Sequence, residues 1–376
     1  MVEPAYPAAR AAAPAVEAFL RRHLEEEAAR GELHLAPPPD AAAIEGIIDA
    51  AFWASLRREE GSPPRISLAF VPPDGDHPLA FARPLPLDPN RLAKLAPAVE
   101  HPGIHLGIWR GPDGLDVWGA TASIPNGCLV VEVVRPGLLV VKHRRAEASA
   151  KFGNVAVLEG DRVRFVDEAG ASLPDCPPLL ESLLGFDAPA SWGESTNVLV
   201  RLAVAMRQHG RGGSLLTVPT GGEAWRESIV RPVSYPVAPP YTALAEGLAG
   251  LRAGDLSAHG VIFRAVETIA GLTAVDGATI MNGRYELLAF GAKIGRRRGG
   301  APVERVTVTE PVIGDVPEVL APSEIGGTRH LSAAQFVQDQ HDALALVASQ
   351  DGRFTVFAWS PCEDRVHAHR VDVLLI

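Results

Sequence analysis

Cysteine is scarce in this chain: Cys128, Cys176 and Cys362 lie far apart in 376 residues, and none belongs to a CxxC pair. An odd, scattered set excludes a disulfide framework and a cysteine-rich zinc site, and leaves reduced, buried or inert thiols as the expectation. An excess of basic charge is also missing. Lys and Arg number 35 against 45 Asp and Glu, for a formal net charge of −10. That balance argues against broad binding to nucleic acid or to anionic membranes. No apolar run reaches the ~18 residues that a spanning helix needs. The opening MVEPAYPAARAAAPAV lacks a basic segment followed by an apolar core, so it does not read as a secretory signal. No internal repeat is visible. A soluble, cytoplasmic protein without nucleic-acid or membrane partners is expected.

What is present suits a globular protein, with 47% hydrophobic and 21% charged residues. The length exceeds what one core usually covers, so two domains are expected. Residues 1–60 carry Ala-, Glu- and Arg-rich runs with apolar residues at helical spacing, broken at Pro37-Pro38-Pro39. From 64 to 170, short β-rich runs alternate with Gly, Pro and Asp, which predicts a mainly antiparallel sheet. Trp53, Trp109 and Trp118 read as core aromatics. Helices are expected at 177–186 and 195–208, then a strand at Leu215–Val218 after the turn His209-Gly210-Arg211-Gly212-Gly213. The segment RPVSYPVAPP (231–240) holds four prolines in ten residues and reads as a stiff linker. Beyond it, helices (242–252, 256–269, 329–340) mix with strands (274–281, 285–291, 304–309, 343–348, 353–359). The predicted fold class is α+β twice over. A mixed β-sheet flanked by helices (241–376) follows a separate α+β domain (1–235).

Three constellations could carry chemistry. Asp276-Gly277-Ala278 sits at the mouth of an apolar strand, where a carboxylate can bind metal and glycine lets the backbone approach a ligand. An ordinary Asp-Gly turn is the alternative. Gly326-Gly327-Thr328-Arg329-His330 precedes a helix. Free N–H groups, the positive helix end and the Arg329 fork suit phosphate oxygens, whereas a Gly-rich turn with Thr328 as N-cap is the simpler reading. Ser349-Gln350-Asp351-Gly352-Arg353 lies between two strands, as a hairpin turn or as a loop bringing a second carboxylate and guanidinium to the same place. His367 and His369 alternate as on an exposed edge strand. His209 and His341 have no triad partners by spacing.

In their order, these motifs resemble the diadenylate cyclase domain, which joins two ATP molecules into cyclic di-AMP. The likeness rests on VDGATIMNGRYELLAFGAKI and PSEIGGTRHLSAAQFVQDQHDALALVASQDGRFTVF and covers about residues 255–360. It implies that Asp276 binds a divalent metal, Mg²⁺ or Mn²⁺, and helps activate the attacking 3′-hydroxyl. It also implies that Gly277 and Ala278 lie against the nucleotide, with Gly327 in the turn beside it. Thr328, Arg329 and His330 would hold the triphosphate, Ser349 would touch phosphate, and Asp351 is a second metal ligand. Asp276, Arg329 and His330 are thus the catalytic set. ATP is the implied substrate, and a homo-oligomer with facing catalytic domains the implied assembly, because two nucleotides must meet. The chain departs from the family at Leu331, where a second Arg is usual. Arg353 or the run Arg296-Arg297-Arg298 is the expected substitute for that charge. Residues 1–245 resemble DACNV, a sensor region preceding some of these domains, through FWASLRREEG, LAKLAPAVE, WG at 118–119, KFGNVAVLEG and HGRGGSLLTVP. This implies regulation by an N-terminal sensor.

Overall fold

A computed structural model describes residues 4–59, 61–74, 78–101, 103–145, 152–167 and 198–375. Cys176 and the helix expected at 177–186 lie outside these residues. The chain divides into two compact units, Met1–Glu168 and Ala169–Leu375.

The first unit opens with two helices whose local sequence explains them. α1 (Pro7–Ala29) has proline in its first turn, where a missing N–H costs nothing. It buries Ala9, Ala12, Ala13, Val16 and Leu20 along one stripe. α2 (Ala41–Ser55) is capped by Asp40, whose carboxylate accepts the Ala43 N–H at 2.9 Å. It buries Ile44, Ile47, Ile48, Ala51 and Ala54. A short helix, α3 (Pro89–Leu95), follows later. The strands are β1 (Ile66–Phe70), β2 (Leu79–Pro86), β3 (His105–Gly111), β4 (Gly114–Thr121), β5 (Leu129–Arg135), β6 (Leu138–Arg144), β7 (Phe152–Glu159) and β8 (Arg162–Phe165). They form one sheet in the order β2-β4-β3-β1-β5-β6-β7-β8. Only the β1–β3 pair in it is parallel, so the expected antiparallel sheet is present. Ile66, Leu68, Phe70, Leu106, Ile108, Val131 and Leu139 share a core with the apolar stripes of α1 and α2. Burying each such side chain contributes about 1.5–3 kcal/mol.

The second unit is layered on both sides of its sheet. Its helices are α4 (Val198–Gln208), α5 (Ala243–Arg252), α6 (Ala258–Thr273), the short α7 (Pro322–Ile325) and α8 (Thr328–Asp339). Its strands are β9 (Gly213–Val218), β10 (Tyr235–Tyr241), β11 (Ala278–Asn282), β12 (Leu287–Ala292), β13 (Val306–Thr309), β14 (Glu318–Leu320), β15 (Leu344–Ala348), β16 (Phe354–Ser360) and β17 (Arg365–Arg370). The sheet order is β10-β12-β11-β9-β15-β16-β17-β13-β14, with β9–β11 and β13–β17 parallel. Leu215, Leu346 and Val356 join the core under α4, α5 and α6. Their chain neighbours Leu216, Val347 and Phe357 join the core under α8. This period of two, with both faces covered, explains why the strands read as continuous apolar runs.

Three expectations are corrected here. The segment 231–240 is no linker: Tyr235 and Pro236 pair with Phe290 and Ala289, so β10 is the outermost strand beside β12. Proline is tolerated on an edge strand because one side needs no N–H donor. Strand β9, placed by the sequence in the N-terminal domain, pairs with β11 and β15 inside the second sheet. The histidine strand is also not an edge. β17 lies between β16 and β13, and His367 and His369 are buried. Cys128 behaves as expected of an inert thiol: it is buried, and desolvation pushes it up to about 12. Among the described residues, no helix is long and apolar enough to cross a membrane.

Candidate functional site

One end of the second sheet gathers segments that are far apart in sequence. β9 and β11 start there, and the antiparallel β12 and β15 end there. The register puts Ala292, Ala278, Ser214 and Val347 side by side across four strands. All four line a cavity of about 750 Å³. Asp276 and Gly277 enter from the start of β11, Lys293 and Ile294 from the end of β12, and Ser349, Gln350 and Asp351 from the end of β15. Gly327, Thr328, Arg329, His330 and Ser332 complete the wall from the first turn of α8.

Gly277 has φ +101°, and an added Cβ would come within 2.5 Å of the Gly291 carbonyl carbon and 2.9 Å of the Ala292 nitrogen. The glycine therefore serves the close approach of β12, and only glycine fits. Asp276 is exposed. Among the described residues its carboxylate has neither a hydrogen bond nor an ion pair.

The N-cap of α8 is Gly327, with no side-chain cap, and Thr328 is already helical. The N–H groups of the first turn are thus left without a capping side chain. Arg329 is half-buried and makes no ion pair among the described residues. The turn before β9 sits directly against it: an added Cβ at Gly212, where φ is +70°, would lie 2.8 Å from Arg329 Nη1. The same turn and the end of α4 hold the loop after β15. Gln350 Nε2 donates to the Arg211 carbonyl at 3.4 Å, and Arg207 Nε donates to the Gly352 carbonyl at 2.9 Å. His209-Gly210-Arg211-Gly212-Gly213 is therefore a buttress of this site.

His330 is only 6% exposed. Its Nε2 lies 3.5 Å from Ser349 Oγ, and its ring fills the space that a side chain at Gly326 would occupy. Burial, opposed by Asp351 and assisted by Arg370, Arg353 and Arg329, holds its pKa below the ordinary histidine value. The imidazole is neutral at pH 7, which suits it to orienting Ser349 and gives it no charge to offer an anion.

The remaining expected residues divide. Ser349 and Asp351 reach the cavity. Arg353 is not among its lining residues: its backbone N–H and Nε lie 3.2 and 3.6 Å from the Asp351 carboxylate. Arg297 pairs with Glu227 at 2.8 Å and lines a different cavity of about 400 Å³ beside Trp225 and Asp339. Leu331 is 44% exposed and also lies off the larger cavity. Sequence reasoning missed Ser214, Lys293 and Ser332, and gave Gln350 no role of its own. The available signal for Lys293 was the hairpin register, because Ala278 pairs with Ala292 and puts Lys293 across from Gly277.

Among the described residues, no group of three or more His, Cys, Asp or Glu side chains is placed to hold a metal by itself. Asp276 and Asp351 nevertheless bring two carboxylates to one cavity. With Lys293 and Arg329 in the same walls, the site combines hard oxygen donors with cations, a mixture suited to a phosphate chain carrying a divalent ion.

No curated protein matches this chain. Residues 33–122, which contain α2, β1 to β4 and α3 of the first unit, match the family described as the probable sensor domain DACNV.

Proposed function

We propose that the second unit binds ATP and condenses two molecules into cyclic di-AMP, under the control of the sensor domain in the first unit. The observation that carries this reading is convergence. Asp276-Gly277-Ala278, Gly327-Thr328-Arg329-His330 and Ser349 to Asp351 are separated by up to 75 positions, yet they line one cavity. That is the set on which the resemblance to diadenylate cyclases rests. The cavity lies within the usual size range for a small-molecule site.

In this reaction the 3′-oxygen of each ATP bonds to the α-phosphorus of the other, and the bond to the β-phosphate oxygen breaks. Each step releases pyrophosphate and a proton. Such transfers depend on positioning and on charge neutralisation. Arg329 and the first turn of α8 bind phosphate, and His330 orients Ser349 toward it. Asp276 faces the 3′-hydroxyl. Two carboxylates plus nucleotide oxygens form the donor set that Mg²⁺ or Mn²⁺ takes, so Asp276 and Asp351 would hold the ion. When bound, the ion supplies positive charge at the reacting phosphate. One cavity serves one nucleotide, so a second copy of the chain brings the other.

Incubating the full chain with ATP and Mg²⁺ or Mn²⁺ should give cyclic di-AMP by chromatography and mass spectrometry. ATP binding with no dinucleotide across metals and pH would remove the enzyme reading. A second reading, a nucleotide sensor without turnover, is favoured by Leu331, whose side chain is exposed and off the cavity.

A further inference from the structure

We infer that Lys293 is a phosphate-binding residue of this site and supplies the second cation that position 331 does not. The inference rests on the ATP reading above and names a residue that neither the motifs nor the resemblance selects. The other candidates for that charge do not line the cavity: Arg296, Arg297, Arg298 and Arg353 are absent from its walls. Leu331 carries no charge, Arg353 turns back on Asp351, and Arg297 is paired with Glu227 in another cavity. Lys293 remains. It lines the same cavity as Asp276 and Arg329, and its side chain has no hydrogen-bond acceptor or carboxylate partner among the described residues.

Its backbone, in contrast, is held from both sides. The Lys293 carbonyl accepts the Val230 N–H at 2.9 Å, Ile294 bridges to Ile229, and the Gly295 N–H donates to the Ser228 carbonyl at 2.9 Å. The tight packing of Gly277 on Gly291 and Ala292 fixes the same strand end. An exposed cation on a fixed backbone, left unpaired in a cavity wall, is arranged for an anion that enters from outside. Arg329 comes from α8 and Lys293 from the end of β12, so the two grip a phosphate chain from different walls. One phosphate cannot use both cations as fully as a chain of three. The site should therefore favour triphosphate over shorter chains, and Lys293 should account for much of that preference.

Calorimetric titration of the full chain with ATP, ADP and adenosine tests this. Lys293→Met keeps most of the apolar stem and removes the charge. It should weaken ATP binding by about 10- to 100-fold, the usual loss for a hydrogen bond to a charged group, while adenosine binding and the unfolding temperature stay unchanged. Lys293→Arg should restore most of the affinity. Arg284→Ala, which removes one positive charge at the far end of the β11–β12 hairpin, should change ATP affinity less than twofold. Unchanged ATP affinity in Lys293→Met, or an equal loss for adenosine, would overturn the inference and leave the ATP site standing. Absence of ATP binding in the unaltered protein would overturn both.

Discussion

The two units share a crossover at the centre of the sheet and differ in the residues at its strand ends. In the first, β5 to β8 run as an uninterrupted meander, each strand hydrogen-bonded to the next in sequence. Upstream of it the first unit also has a crossover, with β3 parallel to β1 and β5 on the other side of β1. In the second, β11 returns parallel to β9, and β15 inserts on the other side of β9. Strand ends that are 60 or more residues apart then meet at one end of the sheet, and the large cavity opens there. Both units share this crossover, so what sets the second apart is the polar and charged residues it places at the strand ends. The sensor-family match falls on β1 to β4 of the first unit, and the convergent polar groups fall in the second.

The largest expected effect that sharpens this contrast is chemical. Asp276→Asn keeps the size of the side chain and removes its charge. It should reduce cyclic di-AMP formation at least ~100-fold, as expected when the carboxylate that holds the ion and faces the 3′-hydroxyl is lost, while the unfolding temperature stays the same. Equal turnover in the variant would detach the carboxylate from the reaction. Gly277→Ala should come next. Its positive φ and the contact with Gly291 leave no room for a Cβ, so the second unit should lose about 1–3 kcal/mol, read by urea denaturation, together with its ATP binding. A fully stable variant would contradict the packing at the strand end.

Acid should act on both units. Desolvation, with His23 beside His143 and His367 beside His369, lowers both histidines to about 3. The unfolded chain takes up these protons near 6.5, as free histidine does. Between those values the unfolded state binds more protons, so stability is complete above pH 6.5 and falls as pH drops toward 3. Melting temperatures from pH 7 to pH 4.5 should decline, and His143→Phe should flatten that decline. A profile that is level over this range would contradict the burial of both rings. The smallest effect belongs to Leu331→Arg. Replacing an exposed side chain should change stability by less than ~0.5 kcal/mol, and adding a cation next to Arg329 should raise ATP affinity or turnover.

Much of the second unit was legible because sheet and helix periods differ. The apolar run 343–348 and the 3.6-residue pattern from 329 locate β15 and α8 to within a residue or two. The prolines at 232, 236, 239 and 240 misled, because a stiff linker and an edge strand share a proline-rich composition. His367 and His369 misled for a related reason. Alternation reports two faces, but it does not say whether either meets water. The glycine of Asp276-Gly277-Ala278 was singled out for close approach to a ligand, and the approach seen is to the backbone at Gly291 and Ala292. Lys293 was not singled out, since its place in the wall depends on strand register and on the competing cations lying off the cavity. The buttressing of Arg329 by Gly212 joins positions 117 apart, and no local pattern encodes it.

The most direct test of the central claim is a crystal structure of the full chain with a non-hydrolysable ATP analogue and Mg²⁺. The account predicts the triphosphate between Asp276, Lys293 and the first turn of α8, with its oxygens within hydrogen-bonding distance of Arg329. An analogue seated elsewhere, such as the smaller cavity beside Trp225, or a large cavity that stays empty at saturating analogue, would contradict it.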